Sequence, residues 1–185
     1  AGRTLASNDN VEADLVAAVP LSGIGHALGY HEGSGIIYKY VFLIDRFLGR
    51  SYTPPDQRTR DEIAARKLST IDEVIKGKRI VLVDDSIVRG TQLRNKVKEL
   101  KEAGAREVHV RISCPPLEAP CPYDIATRSY EELATKSFTK EGLREYIGAD
   151  SLKYNTTEAL VEAVIKGSKL TRSDLCLACF GEAEM

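Results

Sequence analysis

Neither sign of charge dominates this chain: 26 lysines and arginines stand against 27 aspartates and glutamates, a formal net charge of −1. That balance gives no global electrostatic reason to expect nucleic acid, whose binders usually carry a basic face. Long apolar runs are missing as well. None reaches the roughly 18 residues that a membrane-crossing helix needs, so no membrane partner is expected. The opening Ala1-Gly2-Arg3-Thr4-Leu5 has neither the charged nor the apolar region of a signal peptide. It has no initiator methionine either, and Gly2-Arg3-Thr4-Leu5-Ala6 reads as the tail of a helix already under way. A piece of something longer is therefore expected. Cysteines number only four, Cys114, Cys121, Cys176 and Cys179, too sparse for a small secreted disulfide scaffold. Reduced thiols or a metal site in a cytoplasmic protein fit them better. There is no internal repeat and no low-complexity tract.

What remains is ordinary in bulk and specific in pattern. With 185 residues, 43% of them hydrophobic and 29% charged, the default is one soluble domain. Residues 11–20 read as a strand whose apolar core, Leu15-Val16-Ala17-Ala18-Val19, is continuous rather than alternating. Such continuity suits a strand covered on both faces, as in a parallel sheet. Ser22-Gly23-Ile24-Gly25 then opens a turn into a short helix ending near residues 33–35, and residues 36–44 form a second apolar stretch read as a strand. Residues 45–67 are rich in arginine, proline and polar groups without a dominant period, a loop long enough to imply function or disorder. A strand over 79–83 and a helix carrying Leu93, Val97 and Leu100 at i, i+4 and i+7 follow, closed by Gly104. Residues 107–113 give another strand, and a strand–helix–strand unit is almost always a right-handed crossover between parallel neighbours. Short helical pieces are expected around 130–134, 140–147 and 156–165. The fold class is α/β, a doubly wound and mainly parallel sheet with ligand bound beyond the strand carboxyl ends.

The most specific pattern is Ile80-Val81-Leu82-Val83-Asp84-Asp85-Ser86-Ile87-Val88-Arg89-Gly90-Thr91. An apolar strand delivers two adjacent carboxylates, which repel unless a cation or a pair of ribose hydroxyls holds them. Hard oxygen donors favour magnesium, which keeps much of its water and bridges to substrate phosphates. Ser86 to Thr91 offers successive amides, two hydroxyls and a helix amino terminus, a ready anion site. Gly90 permits close backbone approach or a positive φ. An acidic turn that merely caps the following helix is the bland alternative, and it explains fewer of these twelve positions.

This string resembles the phosphoribosyl pyrophosphate (PRPP) signature of the type I phosphoribosyltransferases, in the Ser-Ile-Val-Arg-Gly-Thr form of the amidophosphoribosyltransferase family. Val19-Pro20-Leu21-Ser22-Gly23 is similar to that family's Val-Pro-Asp-Ser-Gly. Arg46-Phe47-Leu48-Gly49-Arg50-Ser51-Tyr52 is similar to its Arg-Tyr-Val-Gly-Arg-Thr-Phe. Val108-His109-Val110-Arg111-Ile112-Ser113 and Cys176-Leu177-Ala178-Cys179-Phe180 extend the likeness over nearly the whole chain.

The resemblance implies residue roles. Asp84 and Asp85 hold the ribose hydroxyls and, with Ser22, the magnesium environment. Ser86, Ile87, Val88, Arg89, Gly90 and Thr91 bind the 5-phosphate, and Pro20, Leu21, Ser22 and Gly23 face the pyrophosphate. Arg46, Arg50 and Lys67 act on the reaction from a lid over 45–67, which also brings Gln57 and Arg58 to PRPP. Cys121, Cys176 and Cys179 fall at iron–sulfur ligand positions, the last two in a carboxyl-terminal segment over 168–185. The fourth ligand of a [4Fe–4S] cluster lies upstream of Ala1, and Cys114 stands where the family has serine. The implied reaction joins ammonia to PRPP in purine biosynthesis, in a cytoplasmic homo-oligomer inhibited by purine nucleotides. The family's glutaminase domain, which opens on a cysteine, is missing from this chain. Leu21 replaces an acidic residue and Asp45 an amide. A nucleobase phosphoribosyltransferase and a non-catalytic PRPP-binding module are the alternatives. His26, His31 and His109 show no spacing that marks a catalytic base.

Overall fold

The structure, a computed structural model, describes residues 1–44, 68–121, 123, 127 and 129–182. Arg46, Arg50, Gln57, Arg58 and Lys67, and with them the expected lid, lie outside the described residues. Helix α1 (Gly2–Ser7) leads into strand β1 (Leu15–Ala18), then helix α2 (Ile24–Ser34). Strands β2 (Phe42–Ile44) and β3 (Leu68–Thr70) pair antiparallel, apart from the main sheet. After the single turn of α3 (Asp72–Ile75) come β4 (Arg79–Asp84), α4 (Thr91–Glu102) and β5 (Glu107–Ile112). Helices α5 (Ala134–Ser137) and α6 (Lys140–Ile147), strand β6 (Ser151–Tyr154) and helix α7 (Thr157–Ile165) complete the order.

The main sheet runs β1-β4-β5-β6, parallel throughout. Its two faces separate residue by residue, because successive side chains on a strand point to opposite sides. Leu15, Ala17, Ile80, Leu82, Val108 and Val110 pack against Leu93, Val97 and Leu100 of α4 and Leu143 and Ile147 of α6. Val16, Ala18, Val81 and Val83 pack instead against Leu5 and Ala6 of α1 and Ala27 and Tyr30 of α2. Both faces are covered, which is why the strands read as continuous apolar runs, and the doubly wound α/β sheet expected from the sequence is present.

The far edge of β1 carries one parallel bridge, Val16 with Tyr38. The chain leaves β1 through α2 to one side and resumes with β4 on the other, so the carboxyl ends of β1 and β4 form a topological switch point. The expected strand over 36–44 is corrected here. It splits, with Tyr38 touching β1 and Phe42–Ile44 turning away to pair with β3. Strands β3 and β6 are additions that the sequence pattern did not indicate. Helix ends obey local chemistry: Gly35 closes α2 at φ 74°, and Thr139 caps α6 by accepting from the Gly142 amide at 3.1 Å. Among the described residues no helix is long and apolar enough to cross a membrane.

Candidate active site

At the switch point the turn after β1 meets the end of β4. Gly23 makes the approach possible: a Cβ there would lie 2.1 Å from the Val83 carbonyl oxygen. The neighbouring Ser22 hydroxyl donates to Asp84 Oδ1 at 2.7 Å, and the Asp85 amide donates to the same oxygen at 2.9 Å. Asp84 Oδ2 is the oxygen left for a ligand. The Ser86 amide donates to the Asp85 carboxylate at 2.8 Å, which turns the chain out of the strand. Asp85 itself is exposed.

Burial sets the electrostatics of this corner. Desolvation pushes Asp84 up to about 7; the Ser22 hydroxyl and the Asp85 amide oppose the rise, and the Asp85 charge adds to it. A carboxylate held near neutrality gains most from a cation placed against it. The donor set of two carboxylates and one hydroxyl fits magnesium, which needs one or two protein carboxylates and takes its remaining oxygens from water and substrate.

The loop beyond the acids lines a cavity of about 370 Å³, bounded by Ser22, Asp84, Asp85 and residues 86–93. Gly90 adopts φ 79° and brings the first turn of α4 onto it, with no side chain capping the helix. The open amides of a helix amino terminus attract an anion. Residues distant in sequence brace the loop. The Ala134 amide donates to the Val88 carbonyl at 2.7 Å, Glu132 pairs with Arg89, and Ile87 is buried in the core. The sequence pattern pointed to none of these supports, because each depends on a contact across some forty residues.

The structure brings together Ser22, Asp84, Asp85 and the whole run from Ser86 to Thr91. It places Pro20 and Leu21 differently, on an adjoining, mainly apolar cavity of about 450 Å³ with Tyr38 and Phe42. Leu21 is 59% exposed. Arg89 lines the cavity and pairs with Glu132. The histidines serve the fold: His109 contacts Glu107 and Ser151, and His31 contacts the Ile36 carbonyl. Burial lowers the His26 pKa, with Asp85 pulling the other way.

Cys114, Cys121, Cys176 and Cys179 are all free thiols. The Glu118 amide donates to the Cys179 carbonyl at 2.8 Å, stitching the segment before Cys121 to the Cys-x-x-Cys turn. Cys114 is occupied otherwise. Its thiol donates to the Pro115 carbonyl at 3.1 Å, and burial pushes it up to about 12. Among the described residues no group of three histidine, cysteine or acidic side chains could hold a metal ion.

Comparison with known proteins adds a second line of observation. No protein-family model matches the chain. The amidophosphoribosyltransferase of Bacillus subtilis is 45% identical over 179 residues, 97% of this chain and 38% of that protein. Its counterpart in Methanocaldococcus jannaschii is 44% identical over 178 residues, 96% of this chain and 36% of that protein. The chain is homologous to one part of the amidophosphoribosyltransferases. It spans between a third and two fifths of the length of these relatives. The solved structure of the B. subtilis glutamine PRPP amidotransferase complexed with ADP and GMP superposes with a TM-score of 0.84 at 44% identity. That match covers 97% of this chain and 40% of the amidotransferase chain. A second solved structure, of the allosteric regulatory enzyme of purine biosynthesis, gives a TM-score of 0.85 over the same share of this chain, 97%.

Proposed function

We propose that the chain is a phosphoribosyltransferase unit that converts PRPP and ammonia to 5-phosphoribosylamine and pyrophosphate in purine biosynthesis. The observation that carries the reading is the corner where Ser22, Asp84 and Asp85 adjoin the phosphate-shaped loop from Ser86 to Thr91. Homology with amidophosphoribosyltransferases over 97% of the chain supports the same chemistry.

The residues divide the work. Amides of 86–91 and the first turn of α4 receive the 5-phosphate. Asp84 and Asp85 receive ribose hydroxyls, and their negative charge lies close enough to favour positive charge developing at C1. The C1–oxygen bond to pyrophosphate breaks with its electron pair staying on pyrophosphate. The ammonia lone pair forms the new C1–nitrogen bond from the opposite face, and a proton then leaves the nitrogen for solvent. Ser22 orients Asp84 and fixes which carboxylate oxygen stays available. Magnesium, when bound beside Ser22 and the two aspartates, supplies positive charge against the pyrophosphate oxygens. Arg46, Arg50 and Lys67 extend this reading as cations that stabilise the leaving group, with Gln57 and Arg58 as further PRPP contacts. The B. subtilis relative is a glutamine PRPP amidotransferase, so glutamine is the source of ammonia consistent with this reading. Purine nucleotides are the regulators consistent with the ADP and GMP complex of the B. subtilis relative. Four free thiols accord with a cytoplasmic setting.

Leu21 favours a second reading, a PRPP-binding module without turnover. An exposed leucine facing an apolar cavity contributes no charge on the pyrophosphate side of the turn. One assay separates the two: pyrophosphate release from PRPP and magnesium, with ammonium or with glutamine as nitrogen donor. Ammonium-dependent release that falls about a hundredfold in Asp85→Asn supports transfer. Binding of PRPP without release establishes the module, and absence of binding removes both readings.

A further inference from the structure

Asn155 follows β6 and has no part in the sequence motif, yet hydrogen bonds lead from it to both carboxylates of the corner. Its main-chain amide donates to the Ile112 carbonyl at 2.9 Å. The other end of that peptide group, the Ser113 amide, donates to the Asp84 carbonyl at 3.0 Å. Across the next peptide, the Asp85 amide donates to Asp84 Oδ1 at 2.9 Å. A second relay runs alongside, one residue further on. The Asn155 side-chain amide donates to the Ser113 carbonyl at 3.2 Å, and the Cys114 amide to the Asp85 carbonyl at 3.1 Å. The Ser86 amide then donates to Asp85 Oδ1 at 2.8 Å. Each relay crosses two peptide groups and ends on one carboxylate, and bonds in such a chain polarise one another. The first only extends the parallel ladder of β4, β5 and β6. The second starts from a side chain, because Thr156 caps α7 and the backbone leaves the sheet there. Asn155 and Ser113 are both buried, so water does not replace a missing donor. The second hydrogen of Asn155 Nδ2 faces the Ala1 carbonyl at 3.4 Å.

We propose that Asn155 is a positioning residue for Asp85, its side-chain amide fixing through two successive peptide groups the direction in which that carboxylate meets PRPP. This rests on the reading of the corner as a PRPP site. The Ser113–Cys114 peptide is held by Asn155, the Asp85–Ser86 peptide is held by Cys114, and the Ser86 amide holds the carboxylate. Asn155 touches neither sugar nor cation. Asp84 is held separately, by the main-chain relay and by Ser22, so the Asn155 side chain sets one aspartate and leaves the other alone.

The test pairs two measurements on the full chain, wild type against Asn155→Ser, which withdraws the donor from the Ser113 carbonyl. Amide hydrogen exchange, followed by NMR without ligand, should quicken about fivefold at Cys114 and Ser86 relative to Ser113 and Asp85, whose relay starts from the main chain. Titration calorimetry with PRPP and magnesium should show a Kd raised about fivefold. The same substitution made in Asp85→Asn should weaken binding no further, because residues that act as a unit are not additive. Equal quickening at all four amides overturns the proposal and makes the asparagine a structural brace. Unchanged PRPP affinity, or full additivity with Asp85→Asn, overturns it as well. Asn155→Leu repeats both measurements if Asn155→Ser does not fold, and loss of folding in both variants again leaves only a brace. Wild type that binds no PRPP removes the reading of the corner and this proposal with it. That failure is distinct from the others, because the exchange pattern still reports the relay.

Discussion

Asp84 is held in a state that suits a bound cation better than an unliganded protein. Its folded pKa of about 7 lies well above the ordinary 3.8, with burial as the leading cause. Between those two values the folded chain keeps a proton that the unfolded chain has released. Linkage then requires the ligand-free protein to lose stability as pH climbs from about 4 to about 7, and to level off above. Asp84→Asn removes that slope. Urea unfolding without ligand should show the variant more stable than wild type at pH 8, by on the order of 2 kcal/mol, with little difference at pH 4. The same substitution should abolish magnesium-dependent PRPP binding, since the charge is what the cation needs. A variant no more stable at pH 8 would mean that the folded Asp84 carboxyl ionises as easily as it does in the unfolded chain, with no rise in its pKa. Ser22→Ala gives a companion expectation: losing the hydroxyl at 2.7 Å should push the Asp84 pKa higher still. The pH midpoint for magnesium-dependent PRPP binding should rise with it, readable by calorimetry between pH 6 and about 8.5.

Among elements, the turn from β1 into α2 is the one whose geometry cannot be relaxed. It must bring Ser22 to Asp84, and Gly23 lies so near the β4 backbone that any side chain would strike the Val83 carbonyl at 2.1 Å. Gly25, two residues on, has nothing within 4 Å of its would-be Cβ. Gly23→Ala should therefore cost several kcal/mol or prevent folding, because a backbone carbonyl cannot move aside, while Gly25→Ala should be neutral or slightly stabilising. Thermal melts of the pair check this directly; equal melting temperatures would sink it. The same element shows what a sequence can and cannot disclose. Asp84 to Thr91 are consecutive, so strand, acids, loop and helix start were legible as one string. The ends of α2, α4 and α6 were legible too, because glycine and threonine caps act locally. Strand β6 was not: Ser151-Leu152-Lys153-Tyr154 carries one fully apolar residue of the buried type and becomes a strand only by pairing with β5. Residues 36–44 misled for the opposite reason. Apolar content alone does not say which partner a segment pairs with. Glu132 and Ala134 brace the loop through contacts that no local pattern encodes.

At the scale of the whole molecule, one buried ion pair ties the amino-terminal segment to the sheet. Arg111 on β5 bonds Asp9 through Nε and Nη2 across 102 residues of sequence. Both side chains are 4% exposed. Tyr30 of α2 donates to the same carboxylate at 2.7 Å, and Lys153 of β6 approaches it at 3.8 Å. Burial alone would raise the Asp9 pKa, yet hydrogen bonds from Arg111 and Tyr30, with the charges of Arg111 and Lys153, outweigh it and hold the carboxyl below its usual range. A depressed folded pKa means that this contribution is complete above about pH 4 and fades as acid protonates Asp9. Asp9→Asn leaves a guanidinium buried without its counter-charge, which costs about 3–5 kcal/mol at pH 7. The pairing of Asp9 with Tyr30 and Lys153 means that α1, α2, β5 and β6 loosen together, and with them the face of the sheet that supports the turn at Ser22. The variant should accordingly unfold at lower urea near neutrality, and its deficit should shrink below pH 4, where wild type loses the same charge. Replacing both partners, Asp9→Leu with Arg111→Met, removes the unpaired charge and should recover most of the loss. If Asp9→Asn alone proved as stable as wild type at pH 7, the ion pair would be a consequence of the fold rather than one of its supports.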